Sequence, residues 1–299
     1  MPHLNSILDF IRGHELLAVT PDARYVVDYS SYPQAGHPFL TMPMLVCEAM
    51  GGDAEKAVPI AAGWVLTNLA TEVFDDIQDR DPRYPWSQDW PLSRSLNAGQ
   101  ELIHLGYSCF ARSSLDADAK REIQEAFSEA LVTCALGQST NADRILNKRE
   151  YWEQAAAKSG ANIAAAAYSG ARITTAAPDI LTRASRFGMA VGTLTQVVDD
   201  IGDMLGTMEE PHPTEFLFSL PVILAYEQKS HPHWSALNRL ISEQSSEATA
   251  VRAKDMLELV VEMNGIRYAF SLAKAMAADA LGLLGDIASQ PAEELTGYI

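Results

Sequence analysis

Cysteine is scarce: three in 299 residues, Cys47, Cys109 and Cys134, far apart in sequence. That number and spacing make neither a thiolate metal cluster nor an even disulfide framework, and a reducing compartment is the simpler expectation. Positive charge is scarce too. Lys and Arg number 22 against 39 Asp and Glu, for a formal net charge of −17 and a pI near 4.7. An acidic chain of this kind lacks the basic patch that nucleic-acid phosphates or an anionic membrane would require. No apolar run reaches the ~18 uninterrupted residues of a transmembrane segment. The opening MPHLNSILDF has no basic start followed by a long apolar stretch, so a cytoplasmic protein is expected. Alternating β-branched strands closed by hairpin turns are also missing.

What is present is helix. Apolar residues make up 47% of the chain, ample for a core. Stretches such as YWEQAAAKSGANIAAAAYSGARI (151 to 173) and GIRYAFSLAKAMAADALGLLGDI (265 to 287) repeat their apolar residues at three and four, the period of a helix face. Breaks fall near 51–53, 81–91, 113–120, 139–143, 176–179, 209–215 and 230–234. None has the length or low complexity of a linker between domains, and no repeat of fixed period runs through the chain. The expectation is an all-α protein: one large helical bundle over residues 1–299 with a central cavity.

Into this apolar pattern fall two acidic stretches with the same spacing. VFDDIQD carries Asp75, Asp76 and Asp79, and VVDDIGD carries Asp199, Asp200 and Asp203. On a helix the first and last aspartates of D-D-x-x-D lie ~40° apart, and all three fall within an arc of ~100°. A single such motif in an acidic protein is usually a solvated helix face. Here there are two, each preceded by apolar residues, Val73 and Phe74 or Val197 and Val198, where a helix turns inward. Carboxylates crowded this way repel unless cations neutralise them. Hard oxygen donors suit Mg²⁺, which fills its octahedron with water and phosphate oxygens. Two such faces aimed at one cavity could hold a metal cluster that grips a diphosphate.

The text around the motifs resembles a family. CEAMGGDAEKAVPIAAGWVLTNLATEVFDDIQDRD (47 to 81), GQSTNADRILNKREYWEQAAAKSGANIAAAAYSGARI (137 to 173), RFGMAVGTLTQVVDDIGDMLG (186 to 206) and GIRYAFSLAKAMAADAL (265 to 281) are similar to segments of the trans-isoprenyl diphosphate synthases, or polyprenyl synthetases. That family shares an all-α fold with the class I terpene cyclases. The resemblance implies an enzyme in which three Mg²⁺ ions, with Mn²⁺ as a substitute, help an allylic prenyl diphosphate of geranyl to geranylgeranyl length shed pyrophosphate. It implies Asp75, Asp76, Asp79, Asp199, Asp200 and Asp203 as metal ligands, Lys158 and Gln196 at the diphosphate, and Arg83 in the loop after the first motif. It also implies a homodimer. Thr71, small and one turn before Asp75, leaves the substrate channel open, while Phe74 and Tyr168 are candidates to line it and Phe187 to face a carbocation. Trp64, three turns before Asp75, is either the channel floor or a core residue.

The departures from the family concern the acceptor. Where the family has a Gly-Lys-Arg-x-Arg-Pro cradle for isopentenyl diphosphate, this chain reads AGHPFL at 35–40, with Gly36, His37 and Phe39 at the basic positions. From Phe187 to Gln228 there is no Lys or Arg. A diphosphate held there would lack the charge partners that offset its desolvation. The leading expectation is therefore prenyl transfer to another acceptor, with internal cyclisation as in a terpene synthase the runner-up. Ordinary chain elongation, with Arg80, Arg83, Arg94 or His37 replacing the cradle, and a non-catalytic partner subunit are further alternatives.

Overall fold

A computed structural model of the chain describes residues 2–30, 38–79, 84–139, 147–206, 219–242, 249–289 and 292–299. Among these residues the protein is helical throughout, with no strand. They form two compact units, Met1–Leu131 with Asn162–Gly188 and Leu283–Ile299, and Val132–Ala161 with Met189–Gly282. Three long helices, Ala117–Ser139, Pro178–Met204 and Gly265–Ile287, contribute residues to both.

The first unit is built on two antiparallel helices, Val58–Asp79 and Leu92–Ala111. Glycine lets their backbones approach. A Cβ at Gly106 would lie 2.8 Å from Thr67 Cγ2 and 2.9 Å from the Gly63 carbonyl oxygen, and one at Gly63 would collide with the Phe110 ring. Further along the pair, a Cβ at Gly99 would lie 2.5 Å from the ring of Phe74. This seats Phe74, expected to line the substrate channel, on the neighbouring helix.

The segment Ala54–Gln78 is long and apolar enough to cross a membrane, with a mean hydropathy of 1.3, yet 78% of it is buried inside the protein. It is a core helix. Trp64 shows why: only 1% exposed, it stacks on Phe127 with centroids 6.0 Å apart, and Phe127 stacks on Phe110 at 4.6 Å. Its indole N–H donates to the Phe39 carbonyl at 3.0 Å. Trp64 is therefore a packed core residue with its one polar group satisfied, as buried tryptophans require.

Cys47 and Cys109 are buried and all three cysteines are free. Burial pushes the Cys47 thiol up to about 11 and the Cys109 thiol up to about 12, so both behave as small apolar side chains.

In the second unit, Lys148–Ala155 opens on a reciprocal cap. The Glu150 N–H donates to Asn147 Oδ1 at 3.1 Å, and the Asn147 N–H to Glu150 Oε2 at 3.0 Å, satisfying two of the donors that a helix start leaves open. This helix runs into a π turn, Ala156–Gly160, a wider winding found mostly at functional sites. The π turn lies against Pro178–Met204. A Cβ at Gly192 would lie 2.5 Å from the Ser159 carbonyl oxygen and 2.8 Å from Gly160 Cα.

Candidate active site

Each unit carries one of the acidic motifs near the end of a long helix. In the first, Asp75 is half-buried on Val58–Asp79, while Asp76 turns inward and is 7% exposed. The Trp86 indole N–H donates to Asp76 Oδ2 at 2.6 Å. Trp86 lies on a short helix, Pro85–Gln88, started by a proline whose fixed φ suits a first helical turn. Its ring stacks on Tyr84 at 4.5 Å and 7°, and its carbonyl accepts from Ser95 Oγ at 2.6 Å. Thr71 Oγ1 donates to the Asn68 carbonyl at 2.7 Å. Asn68 is 7% exposed, and its Nδ2 has no hydrogen-bond partner among the described residues.

In the second unit Asp200 is likewise 7% exposed and takes three donors. The Tyr151 hydroxyl donates to Oδ2 at 2.7 Å, the Leu220 N–H to Oδ2 at 2.8 Å, and Gln196 Nε2 to Oδ1 at 3.0 Å. Ser159 Oγ donates in turn to Gln196 Oε1 at 2.8 Å, so the π turn is tied to the acidic helix through one glutamine. Burial pushes the Asp200 carboxyl up to about 6, against the pull of its Leu220, Gln196 and Tyr151 hydrogen bonds. Asp199 reaches solvent, but protein atoms crowd its carboxyl; that loss of water, then Asp203 and Asp200, push it up to about 7, while Lys158 pulls it down. Burial and Asp200 raise the Tyr151 phenol, which keeps its proton and its role as donor.

A family model, polyprenyl synthetase, matches residues 40–260. The chain belongs to the polyprenyl synthetase family. It is 26% identical over 248 residues to a geranylgeranyl diphosphate synthase of Methanosarcina mazei, covering 76% of this chain and 73% of that protein. It is 28% identical over 271 residues to a nonaprenyl diphosphate synthase of Mycobacterium tuberculosis, covering 84% and 78%. The crystal structure of a geranylgeranyl pyrophosphate synthetase from Pyrococcus horikoshii superposes with a TM-score of 0.80 at 22% identity, covering 98% of this chain and 93% of that one. The all-α fold is that of these synthetases.

Within the polyprenyl synthetase fold, Lys158, Gln196, Asp199, Asp200 and Asp203 come together in one unit. Asp75, Asp76, Thr71, Phe74 and Tyr168 belong to the other. The Asp79 side chain and the whole of His37, Arg80 and Arg83 lie outside the described residues. Tyr168 is half-buried, its phenol raised by burial and by Glu122, and Glu122 also accepts from Arg172 Nε at 2.6 Å. That is a polar surrounding rather than the apolar lining expected of Tyr168. Phe187 is wholly buried. Arg94, one candidate to replace the cradle, is held by Asp22 at 2.7 Å and lies over the Trp90 ring at 3.8 Å.

Tyr151, Trp86 and Ser159 escape the spacing argument. The one signal for Trp86 is the density of aromatics in RYPWSQDW directly after the first motif. The donor set fits a hard divalent cation: carboxylates crowded beyond what one lysine offsets. Among the described residues no three His, Cys, Asp or Glu groups gather into a cage. Such a site suits an ion that completes its shell with water and phosphate oxygens.

Proposed function

We propose that this family member is a Mg²⁺-dependent prenyltransferase that ionises an allylic prenyl diphosphate and joins the prenyl group to an acceptor. The observation that carries the reading is the second acidic cluster, where Asp199, Asp200 and Asp203 crowd together with Lys158 as the cation beside them. Bound Mg²⁺ would neutralise these carboxylates and the pyrophosphate as it leaves. Asp75 and Asp79 serve the same diphosphate from the first motif. Lys158 supplies a fixed charge for a phosphate oxygen, and the Ser159–Gln196 link keeps that lysine in register with Asp199. The allylic C–O bond breaks with its electron pair passing to pyrophosphate. A new bond then forms between the allylic carbon and the acceptor, which loses a proton. Apolar walls keep water from the cation meanwhile. A homodimer in the cytoplasm belongs to the same reading, resting on the family resemblance and the composition.

The names of the relatives favour a chain-elongating diphosphate synthase and give no support to internal cyclisation. Two features favour an acceptor held otherwise than in the usual cradle. Phe39, at the position of the family's second cradle arginine, is 6% exposed and packs edge-on to Trp64 at 6.5 Å. The stretch from Phe187 to Gln228 has no Lys or Arg. The test is product analysis with geranyl, farnesyl and geranylgeranyl diphosphates and Mg²⁺, each with and without isopentenyl diphosphate. A longer diphosphate formed with the five-carbon partner would establish ordinary elongation and remove the case for a different acceptor. Slow pyrophosphate release with no new carbon bond is expected if the true acceptor is absent. No release from any substrate would sink the prenyltransferase reading and leave the non-catalytic subunit. In the active protein Asp199→Asn should lower turnover by about 100-fold.

A further inference from the structure

The second aspartate of each acidic motif is held by an aromatic donor to which the reaction gives no part. In the first unit Trp86 Nε1 donates to Asp76 Oδ2 at 2.6 Å; in the second the Tyr151 hydroxyl donates to Asp200 Oδ2 at 2.7 Å. Both aspartates are 7% exposed, Trp86 2% and Tyr151 3%. The donors are chemically different and reach their motifs from different directions along the chain. Trp86 lies ten residues after Asp76, and Tyr151 forty-nine before Asp200. Two unrelated side chains meeting the same position of two motifs is more than the usual satisfaction of a buried carboxylate.

A charge-assisted hydrogen bond of this length does two things. It offsets the desolvation of the charged oxygen, and it fixes rotation of the carboxylate so that the orientation of the other oxygen is set. Each donor is itself held. Trp86 is clamped by its stack on Tyr84, by the edge of Trp90 at 6.5 Å and by Ser95 on its carbonyl. Tyr151 sits one turn into a capped helix, edge-on to Trp152 at 5.1 Å. Rigid support of this kind is what a cation site needs from the residues behind its ligands.

We infer that Trp86 and Tyr151 are positioning residues for divalent-cation binding at the two acidic motifs, acting through Asp76 and Asp200. The inference rests on the reading of these motifs as cation sites, and its test separates the two.

Mg²⁺ is titrated calorimetrically into the full chain, with and without inorganic pyrophosphate, for the parent, Trp86→Phe and Tyr151→Phe. Trp90→Phe and Trp152→Phe serve as aromatic controls, and the melting temperature of each protein is recorded. Each donor variant should remain folded and weaken Mg²⁺ binding by about tenfold, while the controls stay within about twofold of the parent. Trp86→His, which keeps a ring N–H, should recover part of the loss. Donor variants that fold and bind like the parent would overturn the inference, as would controls that lose as much. If one donor variant does not fold, the other decides by the same criterion; if neither folds, a purely structural role accounts for both donors and the inference falls. A parent that binds no Mg²⁺ even with pyrophosphate removes the cation-site reading and this inference with it. A parent that binds Mg²⁺ with unaltered variants removes only the positioning role.

Discussion

Asp199 and Asp200 hold their protons more tightly in the folded chain than an ordinary carboxyl with a pKa of about 4 would. Their raised values, about 7 and about 6, mean that the metal-free folded state binds more protons than the unfolded one between these limits. Their contribution to stability is thus fully present below about pH 4 and is lost as the pH rises through about 6 to 7. Thermal melts of the chelator-treated protein should show Asp199→Asn flattening this part of the pH profile. Asn68 gives a second test. Its orphaned Nδ2 bears a desolvation cost, and Asn68→Leu should gain about 1 kcal/mol in urea unfolding. The D-D-x-x-D motifs were legible in sequence because helical spacing alone puts their carboxylates on one face. Trp86 and Tyr151 were not, since each meets its aspartate only through tertiary packing.

At the scale of elements, the long helices follow from apolar periodicity, but how closely they pack depends on what a side chain would strike. Gly63→Ala would drive a methyl into the Phe110 ring and to 2.7 Å from the Gly106 carbonyl oxygen. A destabilisation of about 1–3 kcal/mol is expected. Gly282, exposed within Gly265–Ile287 and with nothing within 4 Å of an added Cβ, should respond oppositely, with Gly282→Ala gaining up to about 1 kcal/mol. Denaturant melts of the two variants check both signs. The π turn at Ala156–Gly160 could not be read from AAKSG, whose residues are compatible with ordinary helix. It is set by the close fit of Ser159 and Gly160 on Gly192.

For the whole molecule, the charge of −17 is an excess of like charges spread over 299 residues, so compaction works against self-repulsion. Salt at about 0.15 M screens charges beyond ~8 Å, and the melting temperature should rise between low salt and that concentration. Millimolar Mg²⁺ should add a further rise that Asp199→Asn reduces. The all-α class and the family were legible in the sequence because the motifs and their flanking helices extend over most of the chain. The acceptor was not. The residues that would distinguish one acceptor from another, His37 and Arg83 among them, occupy connecting segments where periodicity carries no information.

The wide turn at Ala156–Gly160 accommodates about one residue more than a regular turn. Removing a single alanine from it would let the helix close to ordinary pitch, but all that follows would swing by about 100° relative to what precedes. Tyr151 and Lys158 therefore share a phase that point substitutions preserve and that a change of chain length by one would destroy.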